Sequence, residues 1–462
     1  MQATEQFSMW NTIHSTGNFS ERFLCGAEAV IKFSDLIRSS SLRGRHEELR
    51  GRSVIIRTGD QLASALAMIE LDGIVRRMVL CPPDIRDQDL QFVAESTEAD
   101  AIVSDFSESS RVPSVGLVIP CGTELTPADY DPKAVYATEW ILLTSGTTGA
   151  PKMVVHSLRT LGGTIESDVS LARRPVWCTF YDMRRYGGLS IFLRAMLGGD
   201  SMVLSSTGES TASFLERAGA NGVTHMSGTP SHWRRAIMSP AARKVAPPYI
   251  RMSGEIADQS TLDRVRAFYG ANIAHAFAST EAGVGFVVND GLAGFPAAWV
   301  GRKHIEVDLR VEDGSLRLRS RRNAARYIGK SDGIRDADGF VDTGDMVELR
   351  GDRYYFVGRR DGTINVGGFK VHPEEVEEVI QQHPQVRMAL VRAKKSAITG
   401  ALVSAEVVLA TEPGSCDDQS AIQQDILQLC RNVLPPHKVP VSINIVSELP
   451  VAETGKIARC CA

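Results

Sequence analysis

Short apolar runs alternate with segments of helical periodicity over residues 53–103. The runs at 54–56, 78–80 and 101–103 predict strands, and the segments 61–71 and 87–96 between them predict helices. Strands rich in β-branched residues that are separated by helices are typical of a parallel sheet with helices packed on its faces. The pattern therefore predicts α/β architecture.

The helix-then-strand unit recurs further along the chain, whereas residues 1–50 show weak periodicity and predict no clear element. The later helices are predicted at 158–171, 187–197, 212–218 and 260–269, and the later strands at 140–143, 201–204, 223–226 and 273–277. Repetition of this unit over such a length predicts a large N-terminal domain built on parallel sheets.

The pattern changes between residues 300 and 356. Apolar and polar residues alternate over 307–311 and 315–319, with Asp-Gly turns at 313–314 and 338–339, which predicts antiparallel hairpins. A polar, glycine-flanked segment follows at 359–362. We predict a large domain at 1–360 that includes this small β-rich subdomain, then a hinge and a small α+β C-terminal domain at 361–462.

Composition narrows the class of protein. The chain has 462 residues, 43% of them hydrophobic and 23% charged, as expected for a globular protein of more than one domain. A net charge of −4 without a clustered basic stripe argues against a nucleic-acid partner. The sequence shows no signal peptide, no apolar run near the roughly 18 residues of a membrane span, and eight cysteines without a C-x-x-C pair. These features predict a cytoplasmic protein with reduced thiols.

The loop after the predicted strand at 140–143 has the composition of a phosphate-binding loop. It contains Thr144, Ser145, Gly146, Thr147, Thr148, Gly149 and Lys152. Glycines let backbone N–H groups approach an anion, hydroxyls donate hydrogen bonds without carrying charge, and the lysine adds one mobile positive charge. The spacing differs from a Walker A loop. By composition alone, a Ser/Thr/Gly surface turn is the competing interpretation.

The order of these residues resembles the signature loop of the adenylate-forming superfamily. That superfamily includes acyl-CoA synthetases, luciferases and the adenylation domains of peptide synthetases. Further segments that resemble it follow in the expected order at 277–281, 343–345, 358–377 and 449–459. The resemblance covers roughly residues 50–462, with a shortened beginning.

The resemblance implies roles for the segment after the predicted strand at 273–277. In the superfamily the ring of Phe277 packs on adenine, the hydroxyl of Thr280 meets the α-phosphate, and Glu281 holds Mg²⁺. A carboxylate together with phosphate oxygens suits this ion. The resemblance also counts Gly254 and Glu255 among the nucleotide-binding residues.

The remaining segments complete the implied site. By resemblance, Asp345 accepts hydrogen bonds from the two ribose hydroxyls, and Arg359 contacts the ribose or a phosphate. Asp361 is the hinge residue, and Gly368 borders the channel for the pantetheine thiol. Lys456 lies between the substrate carboxylate and the α-phosphate, where an ammonium group lowers the repulsion of two anions. The implied catalytic residues are then Lys456, with Thr280 and Glu281.

The implied reaction uses ATP and Mg²⁺ to convert a carboxylic acid to an acyl-adenylate with release of pyrophosphate, and then transfers the acyl group to a thiol. Peptide-synthetase domains usually continue with an Ile-Glu-Leu-Gly-like run where residues 371–374 read Val-His-Pro-Glu. This favours the acyl-CoA or aryl-CoA ligase branch with CoA as acceptor. The alternative is a freestanding adenylation enzyme that loads a carrier-protein phosphopantetheine. A non-catalytic binding protein is disfavoured because Lys456, Glu281 and Asp345 are all retained.

The acyl pocket is expected to draw on residues 179–189, 225–231, 253–256 and 279–285. Two arginines in the first of these segments, Arg184 and Arg185, have two interpretations. They pair with a second carboxylate or a polar acyl tail, since a buried guanidinium needs a partner, or they face solvent at a helix start. The motifs predict that pyrophosphate is the leaving group, but they do not predict which carboxylic acid is the substrate.

Overall fold

The computed structural model describes residues 7–17, 19–106, 112–128, 134–144, 150–163, 165, 173–302, 306–329, 333–396, 400–410 and 416–450. For residues 416 and 417 it describes the backbone alone. Helices and strands within these ranges are numbered in chain order.

One sheet of the large N-terminal part has the strand order β20-β10-β9-β5-β4-β6-β7. Its strands are β4 (Ser53–Arg57), β5 (Arg77–Cys81), β6 (Ala101–Ser104), β7 (Leu117–Pro120), β9 (Glu139–Thr144), β10 (Lys152–Ser157) and β20 (Arg326–Tyr327). Strands β9, β5, β4, β6 and β7 run parallel, and β10 and β20 join as an antiparallel edge. The antiparallel edge was not predicted.

A second sheet has the order β16-β15-β14-β13-β11-β12-β1-β2. Its strands are β1 (Phe23–Cys25), β2 (Val30–Lys32), β11 (Val176–Thr179), β12 (Ser201–Leu204), β13 (His225–Gly228), β14 (Tyr249–Ser253), β15 (Asn272–Ser279) and β16 (Gly283–Val288). The pairs from β15 to β1 are parallel, and β16 and β2 are antiparallel edges. The predicted strands after residue 200 are confirmed.

Helices cover the faces of both sheets. They are α1 (Met9–Thr16), α2 (Phe33–Leu36), α3 (Gln61–Leu71), α4 (Asp87–Ser96), α5 (Leu158–Gly162), α6 (Tyr186–Gly198), α7 (Thr211–Ala220), α8 (Pro230–Met238) and α9 (Gln259–Tyr269). All of α3 is buried, and its side chains share one apolar core with α6 and with inward residues of both sheets. A separate core packs α7, α8 and α9 on the far face of the second sheet. The architecture is α/β.

The helix predicted at 158–171 is wrong in length. Helix α5 ends at Gly162, and Ile165 is not helical; residues 164 and 166–172 lie outside the described ranges. Two consecutive glycines, Gly162 and Gly163, explain the early end because glycine is a poor helix former.

A third sheet forms the predicted β-rich subdomain. Its order is β17-β22-β21-β19-β18, with antiparallel pairing throughout. The strands are β17 (Phe295–Pro296), β18 (Val307–Glu312), β19 (Ser315–Ser320), β21 (Val341–Arg350) and β22 (Arg353–Arg359). The predicted hairpin at 313–314 is confirmed: Asp313 and Gly314 both have positive φ, at 50° and 73°, as a two-residue hairpin turn requires. Elsewhere, short strands β3 (Ser39–Ser40) and β8 (Thr126–Pro127) pair with each other.

The C-terminal part has its own sheet and its own core. Its elements are β23 (Ile364–Val366), β24 (Phe369–Val371), α10 (Pro373–Ile380), β25 (Val386–Ser396), β26 (Gly400–Leu409), α11 (Cys416–Val433) and β27 (Ser442–Ile445). Its buried apolar cluster draws only on residues between 364 and 445, which is what an α+β unit with a separate core requires. The domain boundary at residue 360 stays a prediction. In the part of the chain described, no helix is long and apolar enough to cross a bilayer.

Candidate nucleotide and acyl site

The predicted phosphate loop is carried by a β-hairpin. Strands β9 and β10 pair along their whole length, and Thr144 stands directly opposite Lys152 at the open end. The five loop residues Ser145, Gly146, Thr147, Thr148 and Gly149 lie outside the described ranges. The sequence suggested a strand followed by a loop. The structure adds a second strand, which begins at Lys152 and holds the other end of the loop by pairing with β9.

The segment with Thr280 is tied to this hairpin by a buried histidine. His156 lies on β10, and its Nε2 donates to the backbone oxygen of Thr280 at 2.7 Å. Its Nδ1 lies 3.0 Å from Thr160 Oγ1, which donates to it in this tautomer. Burial lowers the pKa of His156 to about 4, so the ring is neutral near pH 7 and carries one N–H. The end of β15 is therefore fixed relative to the strand that leaves the loop.

Glu281 is held by the same edge of the first sheet. Tyr327 on β20 stands opposite Val154 on β10, and its hydroxyl donates to Glu281 Oε1 at 3.2 Å. Burial and the charge of Glu281 raise the pKa of Tyr327, so the phenol keeps its proton. The N–H of Ala324 donates to the backbone oxygen of Glu281 at 2.8 Å. Both the backbone and the carboxylate of Glu281 are thus positioned by neighbouring residues.

The residues around Glu281 fit Mg²⁺ of the kind that is bound mainly by phosphates. One oriented carboxylate suffices for such an ion, because Mg²⁺ keeps water and phosphate oxygens as its other ligands. Within the described ranges, no group of three or more His, Cys, Asp or Glu side chains forms a self-contained metal site. The metal-binding role of Glu281 stays a prediction.

Phe277 belongs to an aromatic cluster between two sheets. Its ring stacks on Phe356 of β22, with centroids 5.2 Å apart and planes at 7°, and lies 5.8 Å from Phe286 of β16. These contacts fix the ring where the end of β15 meets the β-rich subdomain. Its packing against adenine stays a prediction.

Gly254 and Glu255 follow β14. Gly254 has φ of 84°, a conformation that strongly favours glycine. Glu255 Oε2 accepts a hydrogen bond from the backbone N–H of Ser231 at 3.0 Å, in the first turn of α8. A carboxylate at a helix N-terminus is stabilised by the helix dipole. The side chain of Glu255 therefore anchors α8, and its predicted contact with the nucleotide is not tested by this geometry.

Asp345 and Arg359 are cross-strand neighbours on β21 and β22. The Nη1 atom of Arg359 lies 3.4 Å and 3.5 Å from the two Asp345 oxygens, and the Arg359 side chain is 56% exposed. The pair is loose and open to solvent on the arginine side, so an exposed pair of this kind contributes little stability. The two side chains are brought together as a single ribose or phosphate site would require.

The residues predicted to form the hinge and to border the thiol channel lie at the start of the C-terminal part. Asp361 is exposed in a short 3₁₀ turn, 360–362. Gly367 and Gly368 have φ of 58° and 94° and form the turn between β23 and β24. Apart from its chain neighbours, no described atom lies within 4 Å of the place where a Cβ on Gly368 would stand, so the turn leaves open space for a ligand.

The predicted catalytic lysine, Lys456, lies outside the described ranges.

The two arginines of the predicted acyl pocket are both paired. Arg184 is 1% exposed; its Nε and Nη2 donate to the two oxygens of Asp182 at 2.8 Å and 2.6 Å. Its Nη1 donates to the backbone oxygens of Thr58 and Gly59. Arg185 forms an ion pair with Asp84. The solvent-facing interpretation is wrong for Arg184, and its donors are already used within the chain.

Sequence reasoning missed three side chains near this site: His156, Tyr327 and Arg251. His156 and Tyr327 lie on short edge strands that pair across more than 150 residues of sequence, and Arg251 lies inside a buried strand. The sequence feature that could have pointed to His156 and Arg251 was a histidine or an arginine within an apolar run. The role of such a residue depends on partners that are remote in sequence.

The class of protein follows from two kinds of feature: the two-domain α/β fold, and the segments predicted to bind phosphate, Mg²⁺ and ribose. Together they define an adenylate-forming enzyme fold. A family model described as AMP-binding enzyme matches residues 57–323, and one described as AMP-binding enzyme C-terminal domain matches residues 375–456. The chain belongs to the AMP-binding enzyme family.

Relatives and solved structures agree with that assignment. The chain is 26% identical over 361 residues to acyl-coenzyme A synthetase ACSM4, mitochondrial, of Mus musculus, covering 71% of this chain and 60% of that protein. It is 26% identical over 357 residues to the fatty acid–[acyl-carrier-protein] ligase MmaC of Mycobacterium marinum, covering 69% and 66%. The fold matches the anthranilate CoA ligase AuaEII in complex with anthranoyl-AMP, with a TM-score of 0.81, 17% identity and coverage of 98% and 96%. The matched region thus spans about 60% of the length of the mouse relative.

Proposed function

We propose that this chain activates a carboxylic acid with ATP, releasing pyrophosphate, and then transfers the acyl group to the thiol of CoA. The observation that carries the proposal is the convergence of the loop hairpin and the Thr280–Glu281 turn. His156 joins β10 to Thr280, and Tyr327 joins β20 to Glu281. Membership of the AMP-binding enzyme family supports the same reaction.

In the first step, a carboxylate oxygen of the acid attacks the α-phosphorus of ATP, and the bond to the bridging oxygen of pyrophosphate breaks. The loop and Lys152 bind the β- and γ-phosphates that leave. Thr280 donates to the α-phosphate, and Lys456 reduces the repulsion between the two anions. Glu281 would hold Mg²⁺, and the ion would supply positive charge opposite the departing pyrophosphate.

In the second step, the sulfur of CoA attacks the acyl carbonyl carbon, and the bond to AMP breaks. The thiol loses its proton as the thioester forms. We propose that the small domain turns about Asp361 between the steps and that the pantetheine arm passes the Gly368 turn. The exposed 3₁₀ turn 360–362 and the open space at Gly368 support this assignment.

Transfer to a carrier-protein phosphopantetheine is the second candidate. Similarity to the relative MmaC, which is named a fatty acid–[acyl-carrier-protein] ligase, favours it. The two candidates share every adenylation residue and differ only in the acceptor thiol.

The decisive experiment measures pyrophosphate release from ATP with a panel of carboxylic acids and then offers CoA and a phosphopantetheinylated carrier protein to each accepted acid. Mass spectrometry of the products is expected to show acyl-CoA. Acylated carrier without acyl-CoA would establish the second candidate. Absence of pyrophosphate release with every acid, from a folded chain that binds ATP, would refute both.

A further inference from the structure

Arg251 is a buried cation on the central strand β14. It is 4% exposed. Its neighbours Ile250 and Met252 belong to the apolar core formed with α8 and α9, whereas Tyr249 packs on the core between the two sheets. Because side chains alternate along a strand, Arg251 points with Tyr249 and Ser253 toward the space between the sheets.

The guanidinium of Arg251 lacks the partners that other buried arginines have. Its Nε is buried without a hydrogen bond. Across the described ranges, its side chain forms no hydrogen bond or ion pair, whereas Arg184 binds Asp182 and Arg353 binds Asp290. An unpaired buried charge is costly, and proteins normally pair it or use it to bind a ligand.

The groups that act most strongly on Arg251 are a second cation and neutral phenols. Arg194 on α6 and three tyrosines, Tyr181, Tyr186 and Tyr249, act electrostatically on it. Burial and the charge of Arg194 lower the pKa of Arg251, and burial raises the pKa of Tyr181 and Tyr186, so those phenols stay neutral. The nearest carboxylates act on the neighbours of Arg251: Asp200 acts on Arg194, and Glu255 acts on Tyr181. The leading influences on Arg251 itself include no carboxylate.

This region adjoins the proposed acyl pocket. Tyr181 and Tyr186 belong to the segment 179–189, and the hydroxyl of Tyr181 donates to the backbone oxygen of Ser253 at 2.6 Å. The ring of Tyr186 lies 5.9 Å from the ring of His156, which binds Thr280. Tyr186 therefore neighbours both the buried guanidinium and the histidine that binds the segment predicted to contact the α-phosphate.

We propose that Arg251 binds a second anionic group on the acid substrate, with Arg194 adding positive charge, so that the substrates are dicarboxylic acids or acids with an anionic tail. The proposal rests on the proposed function and specifies its substrate class. Arg184, which the sequence offered for this purpose, has its donors occupied, whereas the donors of Arg251 are free to bind a carboxylate.

The test compares matched acids in the pyrophosphate-release assay. The acids are malonate, succinate, glutarate, adipate and isophthalate, each against the monoacid in which a methyl group replaces one carboxylate. The wild-type chain is expected to prefer at least one diacid over its monoacid in kcat/KM. Arg251→Met is expected to lower that preference by roughly tenfold or more, the value of a charge-assisted hydrogen bond. Arg251→Lys is expected to retain part of it.

Thermal unfolding separates substrate binding from a structural role. Arg251→Met is expected to leave the Tm of the free chain unchanged or to raise it, since the substitution removes an unpaired buried charge. The matched control, Arg184→Met, removes a paired buried arginine and is expected to lower the Tm. A clear fall of the Tm in Arg251→Met would assign Arg251 to the fold and overturn the proposal.

The outcomes also distinguish this inference from the proposed function. If monoacids release pyrophosphate as well as or better than their diacids, or if Arg251→Met leaves the ratio unchanged, the substrate class is wrong and the ligase activity stands. If no acid in the broader panel releases pyrophosphate, the ligase proposal fails, and the inference about Arg251 fails with it.

Discussion

The Nε2 of His156 donates to the backbone oxygen of Thr280 across 2.7 Å, and this bond joins the two large sheets. His156 lies on β10 of the first sheet, immediately downstream of the loop hairpin, and Thr280 follows β15 of the second. The two phosphate-facing segments predicted from sequence are thus coupled through one buried imidazole.

The first prediction concerns the pH dependence of stability. The pKa of His156 is lowered from 6.5 to about 4, so between these values the unfolded chain binds a proton that the folded chain does not. Stability is then present above pH 6.5 and is lost as the pH falls toward 4. The loss from this group is on the order of 3 kcal/mol. Denaturant unfolding at a series of pH values measures it.

His156→Gln is the matched control for that experiment, because its amide retains an N–H donor and does not titrate. The acid-dependent loss is expected to shrink in this variant, while His156→Leu loses stability at every pH because Thr280 O is left without its donor. An unchanged pH profile in His156→Gln would show that other groups account for the acid sensitivity.

The second prediction concerns Tyr327, which orients Glu281. Tyr327→Phe removes the hydroxyl that donates to Glu281 Oε1. The concentration of Mg²⁺ needed for half-maximal pyrophosphate release is expected to rise about fivefold, corresponding to about 1 kcal/mol. Tyr269→Phe is the control, since the Tyr269 hydroxyl is buried without a hydrogen-bond partner in the described structure. Equal Mg²⁺ dependence in the two variants would contradict the role of Tyr327.

The third prediction compares two adjacent arginines. Arg184→Met removes a buried cation and leaves the partly buried Asp182, whose side chain is 15% exposed, without its partner; it is expected to lower the free energy of unfolding by about 3 kcal/mol. Arg185→Met breaks a more exposed pair with Asp84 and is expected to cost about 1 kcal/mol or less. Urea unfolding of both variants measures the difference. Similar costs would mean that Arg184 is not the structural residue of the two.

The fourth prediction tests the ribose assignment. The wild-type chain is expected to use ATP better than 2′-deoxy-ATP, because the predicted role of Asp345 is to accept hydrogen bonds from both ribose hydroxyls. Asp345→Ala is expected to raise the KM for ATP and to bring the two nucleotides close together. If Asp345→Ala still discriminates between them as the wild type does, another residue reads the 2′-hydroxyl.

The fifth prediction concerns Lys456. Lys456→Ala is expected to abolish adenylate formation and to leave ATP binding intact, because the proposed role of the lysine charge is to stabilise the transition state. Isothermal titration with ATP and pyrophosphate release measure the two effects. Lys395→Ala, at an exposed position on β25, is the control and is expected to retain activity. Full activity of Lys456→Ala would remove this lysine from the mechanism.

Local periodicity predicted much of the fold. Helix α3 occupies 61–71 and α4 occupies 87–96, as the sequence indicated. Helix α3 is buried throughout and mostly apolar, and Leu90, Val93 and Ala94 form the buried face of α4 at helical spacing. The antiparallel edge formed by β10 and β20 was not predicted. Its pairing depends on strands separated by more than 150 residues, which no local pattern records.

The sequence by itself determined the family and predicted the candidate residues of the site: the Ser/Thr/Gly loop with Lys152, the Thr280–Glu281 pair, and Asp345 with Arg359. These residues are recognisable because their order along the chain is specific. Only the tertiary structure decided which arginine is available to a substrate. Arg184 finds Asp182 and two backbone oxygens, while Arg251 is buried beside another cation. The availability of a charge depends on partners brought together by packing, and packing is a property of the folded chain.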